Sequence, residues 1–183
     1  ILARGQADMI SMARPLLADA QWVKKAKAGR SDEINTCIAC NQACLDHAFQ
    51  NKHASCLVNP RACAETQLVY RKKTQPKKIA VVGAGPAGLA CASVSAECGH
   101  MVTLFEASTE IGGQFNLAKR IPGKEEFSET LRYFGRMLDL HGVDKRLGQR
   151  VSVDDLKAGG FDEVVLATGI KPRKVSFPGS DHP

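Results

Sequence analysis

The 183 residues carry a formal net charge of +6 with 44% apolar side chains, which suits one or two soluble globular domains with a fair core. No apolar run approaches the roughly eighteen residues of a membrane span and no signal peptide is visible, so no membrane partner is expected. The positive charge is densest at Arg71-Lys72-Lys73 and Lys77-Lys78; with no interleaved aromatic beyond Tyr70, it reads as a solvated linker and not as a nucleic-acid surface.

The chain opens Ile1-Leu2-Ala3-Arg4-Gly5, which reads as the middle of a domain and predicts a piece of a longer protein. Met9-Ile10-Ser11-Met12-Ala13 is a short apolar run that suits a buried strand. Arg14-Pro15 leads to Asp19, the expected N-cap of a helix over Gln21–Ala28 that Gly29 ends. One strand and one helix make no core, so residues 1–30 are expected to close a larger βα assembly. Residues 31–66 form a cysteine-rich segment and 67–77 a polar linker.

From residue 78 to 183 the pattern is that of a nucleotide-binding α/β unit. Lys78–Val82 predicts a buried strand and Pro86–Cys98 a helix, with proline tolerated in its first turn. Met101–Phe105 predicts a second strand ending at Glu106. Phe127, Leu131, Phe134 and Leu138 recur at helical spacing, which predicts an amphipathic helix over Lys124–Leu140. Val164–Ala167 predicts a further buried strand, ending in Thr168-Gly169.

Five of the seven cysteines lie between Cys37 and Cys63. An odd total without a secretory segment points to a reducing cytoplasm and metal ligation, not to disulfides. The array Cys37-x2-Cys40-x3-Cys44-x11-Cys56 is a clustered triple plus a remote fourth thiol, the habit of [4Fe–4S] ligation. Cys40 and Cys44 are expected to share a helix face. Zinc, which favours paired CxxC motifs, and packed free thiols remain alternatives. Cys63 could replace Cys56, and Cys91 and Cys98 suit the core. The histidines form no ligand spacing.

Gly83-Ala84-Gly85-Pro86-Ala87-Gly88 follows a strand and opens a helix. Gly83 permits the tight turn, Gly85 lets backbone approach phosphate, and Gly88 lets helix and strand close up. The helix N-terminus then faces a pyrophosphate. Glu106 lies eighteen residues past Gly88, placed for ribose hydroxyls. Gly112-Gly113-Gln114 and Ala167-Thr168-Gly169 offer further backbone approaches and tilt the reading from NAD to FAD. Arg14, directly after a strand, suits a barrel phosphate site or an ordinary surface ion pair.

These residues resemble those of the bacterial NADPH-dependent 2,4-dienoyl-CoA reductases, in which an Old Yellow Enzyme-like TIM barrel is fused to iron–sulfur, FAD and NADPH domains. The resemblance spans the chain. It rests on Cys37-Ile38-Ala39-Cys40-Asn41-Gln42-Ala43-Cys44, Ser55-Cys56-Leu57-Val58-Asn59-Pro60-Arg61, the glycine turn, Ile111-Gly112-Gly113-Gln114-Phe115-Asn116 and Ile121-Pro122-Gly123-Lys124-Glu125-Glu126-Phe127. It implies an α/β fold: a partial Rossmann-like FAD unit preceded by the [4Fe–4S] segment and the last βα unit of the barrel.

The resemblance further implies that Cys37, Cys40, Cys44 and Cys56 hold the cluster and that Ala13 and Arg14 meet the FMN phosphate. Ala87, Glu106, Gln114, Lys124 and the Val151 amide would meet FAD. Electrons would pass from NADPH through FAD and the cluster to FMN, and on to an unsaturated acyl-CoA of fatty acid β-oxidation. The related amine dehydrogenases place only two residues between their second and third cysteines, against three here. No catalytic residue is assigned, because the family's proton-donating tyrosine and histidine have no counterpart in these residues. The chain alone is expected to be inactive. An amine- or enoate-type oxidoreductase and a non-enzymatic, metal-stabilised nucleotide module are the alternatives.

Overall fold

The computed structural model describes residues 1–171, 173 and 176–180; the last residues of the expected unit 78–183 lie outside them. Four parallel strands form one sheet in the order β3-β2-β1-β4. They are β1 (Lys78–Val82), β2 (Met101–Glu106), β3 (Asp144–Leu147) and β4 (Glu163–Leu166). In the central ladder Val81 sits opposite Leu104, and on the other side Val82 pairs with Leu166.

Two helices cover one face of this sheet. The helix α4 (Pro86–Glu97) connects β1 to β2, and α6 (Phe127–Leu140) precedes β3. Val81, Leu89, Leu104 and Leu138 are fully buried between these layers. Ala92 and Ala96 are buried on α4, so a helix of small residues lies close to the strands. Parallel strands joined by crossover helices of this kind make the architecture Rossmann-like, as the glycine turn predicts.

Several expectations shift. The amphipathic helix starts at Phe127 and not at Lys124, because Ile121–Glu126 is a chain of turns: the Lys124 and Phe127 amides donate to Ile121 and Lys124 carbonyls. The strand Val164–Ala167 forms one residue earlier and is not buried, with Val164 44% and Leu166 73% exposed. Among the described residues it is a sheet edge that pairs with β1 alone, and only Val165 of its side chains is partly buried. The strand β3, the helix α7 (Val153–Ala158) and the short helix α5 (Phe115–Ala118) were not anticipated. All four residues of β3 are exposed, so no apolar pattern announces it; pairing with β2 makes it a strand.

The N-terminal expectations change most. Met9–Ala13 is not a strand and Met9 is 83% exposed. An extended run buries itself only where neighbouring strands accept its amides, and Met9–Ala13 pairs with none of the four described here. Instead Arg14–Ala18 forms a short helix, α1, with proline in its first turn. The next helix, α2 (Trp22–Lys27), starts after Gln21, which makes no side-chain cap, and is followed by Gly29 at φ 71°. Asp19 is not its N-cap, but its carboxylate accepts the Gln21 and Asn35 amides, both at 2.9 Å.

Candidate functional site

The loops at the carboxyl ends of β1, β2 and β4 converge on the glycine turn. Gly83 sits at φ 105° with the Ala167 carbonyl directly against it, and a Cβ on Gly88 would drive into the Gly83 carbonyl. Both positions therefore exclude a side chain for reasons internal to the fold. Gly85 differs: a Cβ there would meet nothing within 4 Å. That open space lies before the first turn of α4, whose amides, including that of exposed Ala87, have no side-chain cap and no acidic residue within the turn itself. A helix end so left is suited to an anion.

Three further segments close around this turn. The Gly112 amide donates to the Ala84 carbonyl at 2.7 Å, and a Cβ on Gly113 would stand 3.1 Å from the Gly85 Cα. Gln114 Nε2 donates to the Ile170 carbonyl at 2.9 Å, tying this loop to the segment of Ala167, Thr168 and Gly169. Glu106, half-buried at the end of β2, accepts the Ala84 amide at 2.7 Å and the Ser108 amide at 2.9 Å. Each carboxylate oxygen keeps a second lone pair for a hydroxyl. The Gln149 amide donates to the Glu106 carbonyl at 2.9 Å, which brings the loop of Val151 beside the same strand end. Lys124 is not drawn to the turn; its Nζ lies over the Phe127 ring, 5.6 Å from the centroid.

The four cysteines of the array line one shared recess. Ala39 and Asn41 adopt left-handed φ of 53° and 59°, so the backbone turns sharply on both sides of Cys40. The Ala39 amide points at Cys37 Sγ, 3.4 Å away. Residues 40–44 are not helical; α3 (Leu45–Phe49) begins only after Cys44, so Cys40 and Cys44 meet through a turn and not on a helix face. Cys56 returns on a separate loop, held by the Ser55 amide on the Ala43 carbonyl at 2.7 Å. Burial pushes the Cys56 thiol up, against backbone hydrogen bonds at Val58 and Asn59, and nearby Cys37 and Cys40 raise it further.

Among the described residues, no three His, Cys, Asp or Glu side chains converge tightly enough for a single ion. Four cysteines lining one recess supply the thiolate set that either a [4Fe–4S] cluster or a tetrahedral zinc uses. Cys63 is exposed and does not line the recess. Cys91 packs against the core, and Cys98 follows the last turn of α4.

Arg14 borders the same recess and donates from Nη1 to Asn41 Oδ1 at 2.7 Å. Ala13 stands beside it as the residue preceding α1. Sequence reasoning missed Asn41, although its place inside the cysteine array was a signal. It also missed Glu129, Arg132 and Arg136 of α6, which read only as the polar side of an amphipathic helix.

Residues 77–183 match the model of the pyridine nucleotide-disulphide oxidoreductase family. A metal reductase of Desulforamulus reducens is 42% identical over 97% of the chain, which spans 27% of that relative. Among solved structures, a 2-naphthoyl-CoA reductase in complex with 2-naphthoyl-CoA superposes with a TM-score of 0.95 at 38% identity. The match covers 99% of this chain and 28% of that one. Histamine dehydrogenase from Rhizobium sp. 4-9 superposes with a TM-score of 0.87 at 30% identity, covering 94% of this chain and 26% of that one. The chain thus spans about a quarter of the length of these relatives.

Proposed function

Because the chain belongs to the pyridine nucleotide-disulphide oxidoreductase family, we propose that it is the electron-conducting part of a flavin and iron–sulfur oxidoreductase. The observation that carries this reading is the pairing, in one fold, of a four-cysteine recess with an uncapped glycine turn. The turn would take the FAD pyrophosphate on the Ala87 and Gly88 amides, with Gly85 leaving room and Gly83 and Gly113 letting the neighbouring backbone close around the turn. Glu106 would accept the ribose hydroxyls. Gln114, Lys124, the Val151 amide and the backbone of Ala167, Thr168 and Gly169 would complete the FAD site. Cys37, Cys40, Cys44 and Cys56 would ligate a [4Fe–4S] cluster, and Ala13 and Arg14 would meet the phosphate of FMN.

Bound FAD and a [4Fe–4S] cluster supply the conversion of a two-electron hydride into single electrons. The protein's own part is geometric. Gly85 keeps the phosphate approach clear, and Glu106 fixes the turn and leaves lone pairs toward the ribose. The left-handed residues Ala39 and Asn41 hold Cys37, Cys40 and Cys44 around one centre.

For the whole enzyme the reading is reduction of an unsaturated acyl-CoA, such as a 2,4-dienoyl-CoA, with electrons from NADPH in the cytoplasm. The three-residue gap between Cys40 and Cys44 and the likeness to a 2-naphthoyl-CoA reductase support it. No helix of the described residues is long and apolar enough to cross a membrane. The likeness to histamine dehydrogenase favours a second reading, an amine-oxidising enzyme built on the same conduit.

Anaerobic purification of the full-length protein tests both. Iron, sulfide, FAD and FMN are quantified, and turnover is followed with NADPH plus a dienoyl-CoA, or with an amine plus an artificial acceptor. Colourless, iron-free protein would sink the conduit itself. Turnover only with the amine would replace the first reading by the second.

A further inference from the structure

The helix α6 has two working faces. Leu131, Phe134 and Leu138 pack into the sheet core. The other face presents Glu129, Arg132 and Arg136 to Asp32–Thr36, the segment that runs straight into Cys37. Arg132 reaches three acceptors there and a fourth on its own helix. Nη1 donates to the Asp32 carbonyl at 2.5 Å, and Nη2 donates to the Ile34 carbonyl at 2.7 Å and to Thr36 Oγ1 at 3.3 Å. Its Nε donates to Glu129 Oε2 at 2.6 Å, and Thr36 Oγ1 donates to the same oxygen at 3.4 Å.

Arg136, one turn further on, lies 2.7 Å from Asp32 Oδ2 and 3.2 Å from Glu33 Oε1. Glu33 is only 5% exposed and also takes Arg30 at 2.7 Å. Lys25 Nζ donates to the Glu33 carbonyl at 2.8 Å and to Asp19 Oδ2 at 2.6 Å. Glu33, buried and shared by Arg30 and Arg136, is not a loose surface pair. Charge-assisted bonds from a planar guanidinium to main-chain carbonyls fix the path of the backbone itself.

We infer that Arg132, backed by Arg136, is a positioning clasp that sets the spacing between the cysteine recess and the flavin half of the protein. The inference rests on the electron-conduit reading above. Arg132 touches Thr36, the neighbour of Cys37, while its own helix is built into the sheet that carries the glycine turn. Single-electron transfer between two centres weakens steeply with distance, so a joint that holds both as one body sets its rate. Lysine keeps the charge but loses the fork that spans several acceptors.

The test uses the full-length holoenzyme and its Arg132→Lys variant. Expected are unchanged iron and FAD content, an unchanged rate of FAD reduction by NADPH, and faster hydrogen exchange across Ile34–Cys37. Cluster reduction should slow by about tenfold, as small misplacements commonly do to a positioned reaction. Arg146→Lys, on the exposed edge strand, should change none of these. Should Arg132→Lys fail to fold, Thr36→Val removes only the hydroxyl contact and should slow cluster reduction in the same direction, by less. Cluster reduction at the wild-type rate, or FAD reduction slowed by the same factor, overturns the clasp. A wild-type protein without iron or FAD overturns the conduit reading instead.

Discussion

The Ala84 amide donates to Glu106 Oε2 at 2.7 Å, so the last residue of one strand holds the turn that follows its neighbour. Ala84 is fully buried, and removal of the carboxylate leaves its amide unpaired. Glu106→Ala should cost about 2 kcal/mol by that route. It should also lower bound FAD, because the ribose loses its acceptor. Glu106→Gln keeps one carbonyl acceptor and should fall between the two. Urea denaturation and the flavin-to-protein ratio check the pair, and full flavin content in Glu106→Ala would refute the assignment.

Two glycines of the same turn should respond in opposite ways. Gly88→Ala pushes a methyl group into the Gly83 carbonyl, and with backbone on both sides the overpacking should cost about 3 kcal/mol. Gly85→Val meets open space, and its φ of −73° and ψ of 176° suit any residue. Its stability loss should stay near about 1 kcal/mol, the scale of a changed N-cap. FAD should nevertheless leave, since the valine stands where phosphate belongs, while any FMN persists. A stable Gly85→Val that retains FAD would show that the open space is not the phosphate site.

The glycine turn, its flanking strands and α4 were legible because their signals are local: a buried apolar run, a fixed glycine spacing and a helix-starting proline. Of the two outer strands, β4 was legible as a strand but not in its exposure, and β3 was not legible at all. The residues of β3, Asp144-Lys145-Arg146-Leu147, have no alternation, and only the ladder with β2 makes them extended. Val164 and Leu166 look buried in sequence yet lie on an edge, because composition does not say which layers surround a strand. The cysteine spacing was readable, whereas the local shape was not: the left-handed φ at Ala39 belongs to a residue that rarely adopts it, and Asn41, which adopts it more readily, does so only in this fold's turn. The Arg132 contacts to Asp32 and Ile34 span 100 and 98 residues, a separation that no periodicity reports.

Cys37, Cys40, Cys44 and Cys56 line the recess, and Cys63 stands outside it. Serine at Cys37, Cys40, Cys44 or Cys56 should each abolish most iron binding and loosen the segment, since sites of this kind fold around their metal. Cys63→Ser should leave iron content unchanged, because Cys63 is exposed and outside the recess. Iron and sulfide assays on anaerobically purified variants read the difference. Iron lost with Cys63→Ser and kept with Cys56→Ser would reverse the fourth ligand.

Tyr133 gives the protein a pH dependence at the alkaline end. Burial, chiefly, and then the negative charges of Asp19 and Glu97 and the neighbouring Tyr70 push its phenol from an ordinary 10.0 up to about 12. Lys25 Nζ stands 5.9 Å from the ring centroid. The folded state thus favours the neutral phenol, and the unfolded chain ionises first. The associated stability is fully present below about pH 10 and is lost as pH rises from there toward about 12. A shift of this size is worth about 2 kcal/mol at a partly solvated site. Tyr133→Phe removes the ionisation, so it should lose less stability than the wild type between about pH 9 and about pH 11.5, whatever the lysines contribute to both. Urea denaturation of both proteins across that range measures the difference. Parallel curves would mean that Tyr133 ionises as freely in the folded protein as in the unfolded chain.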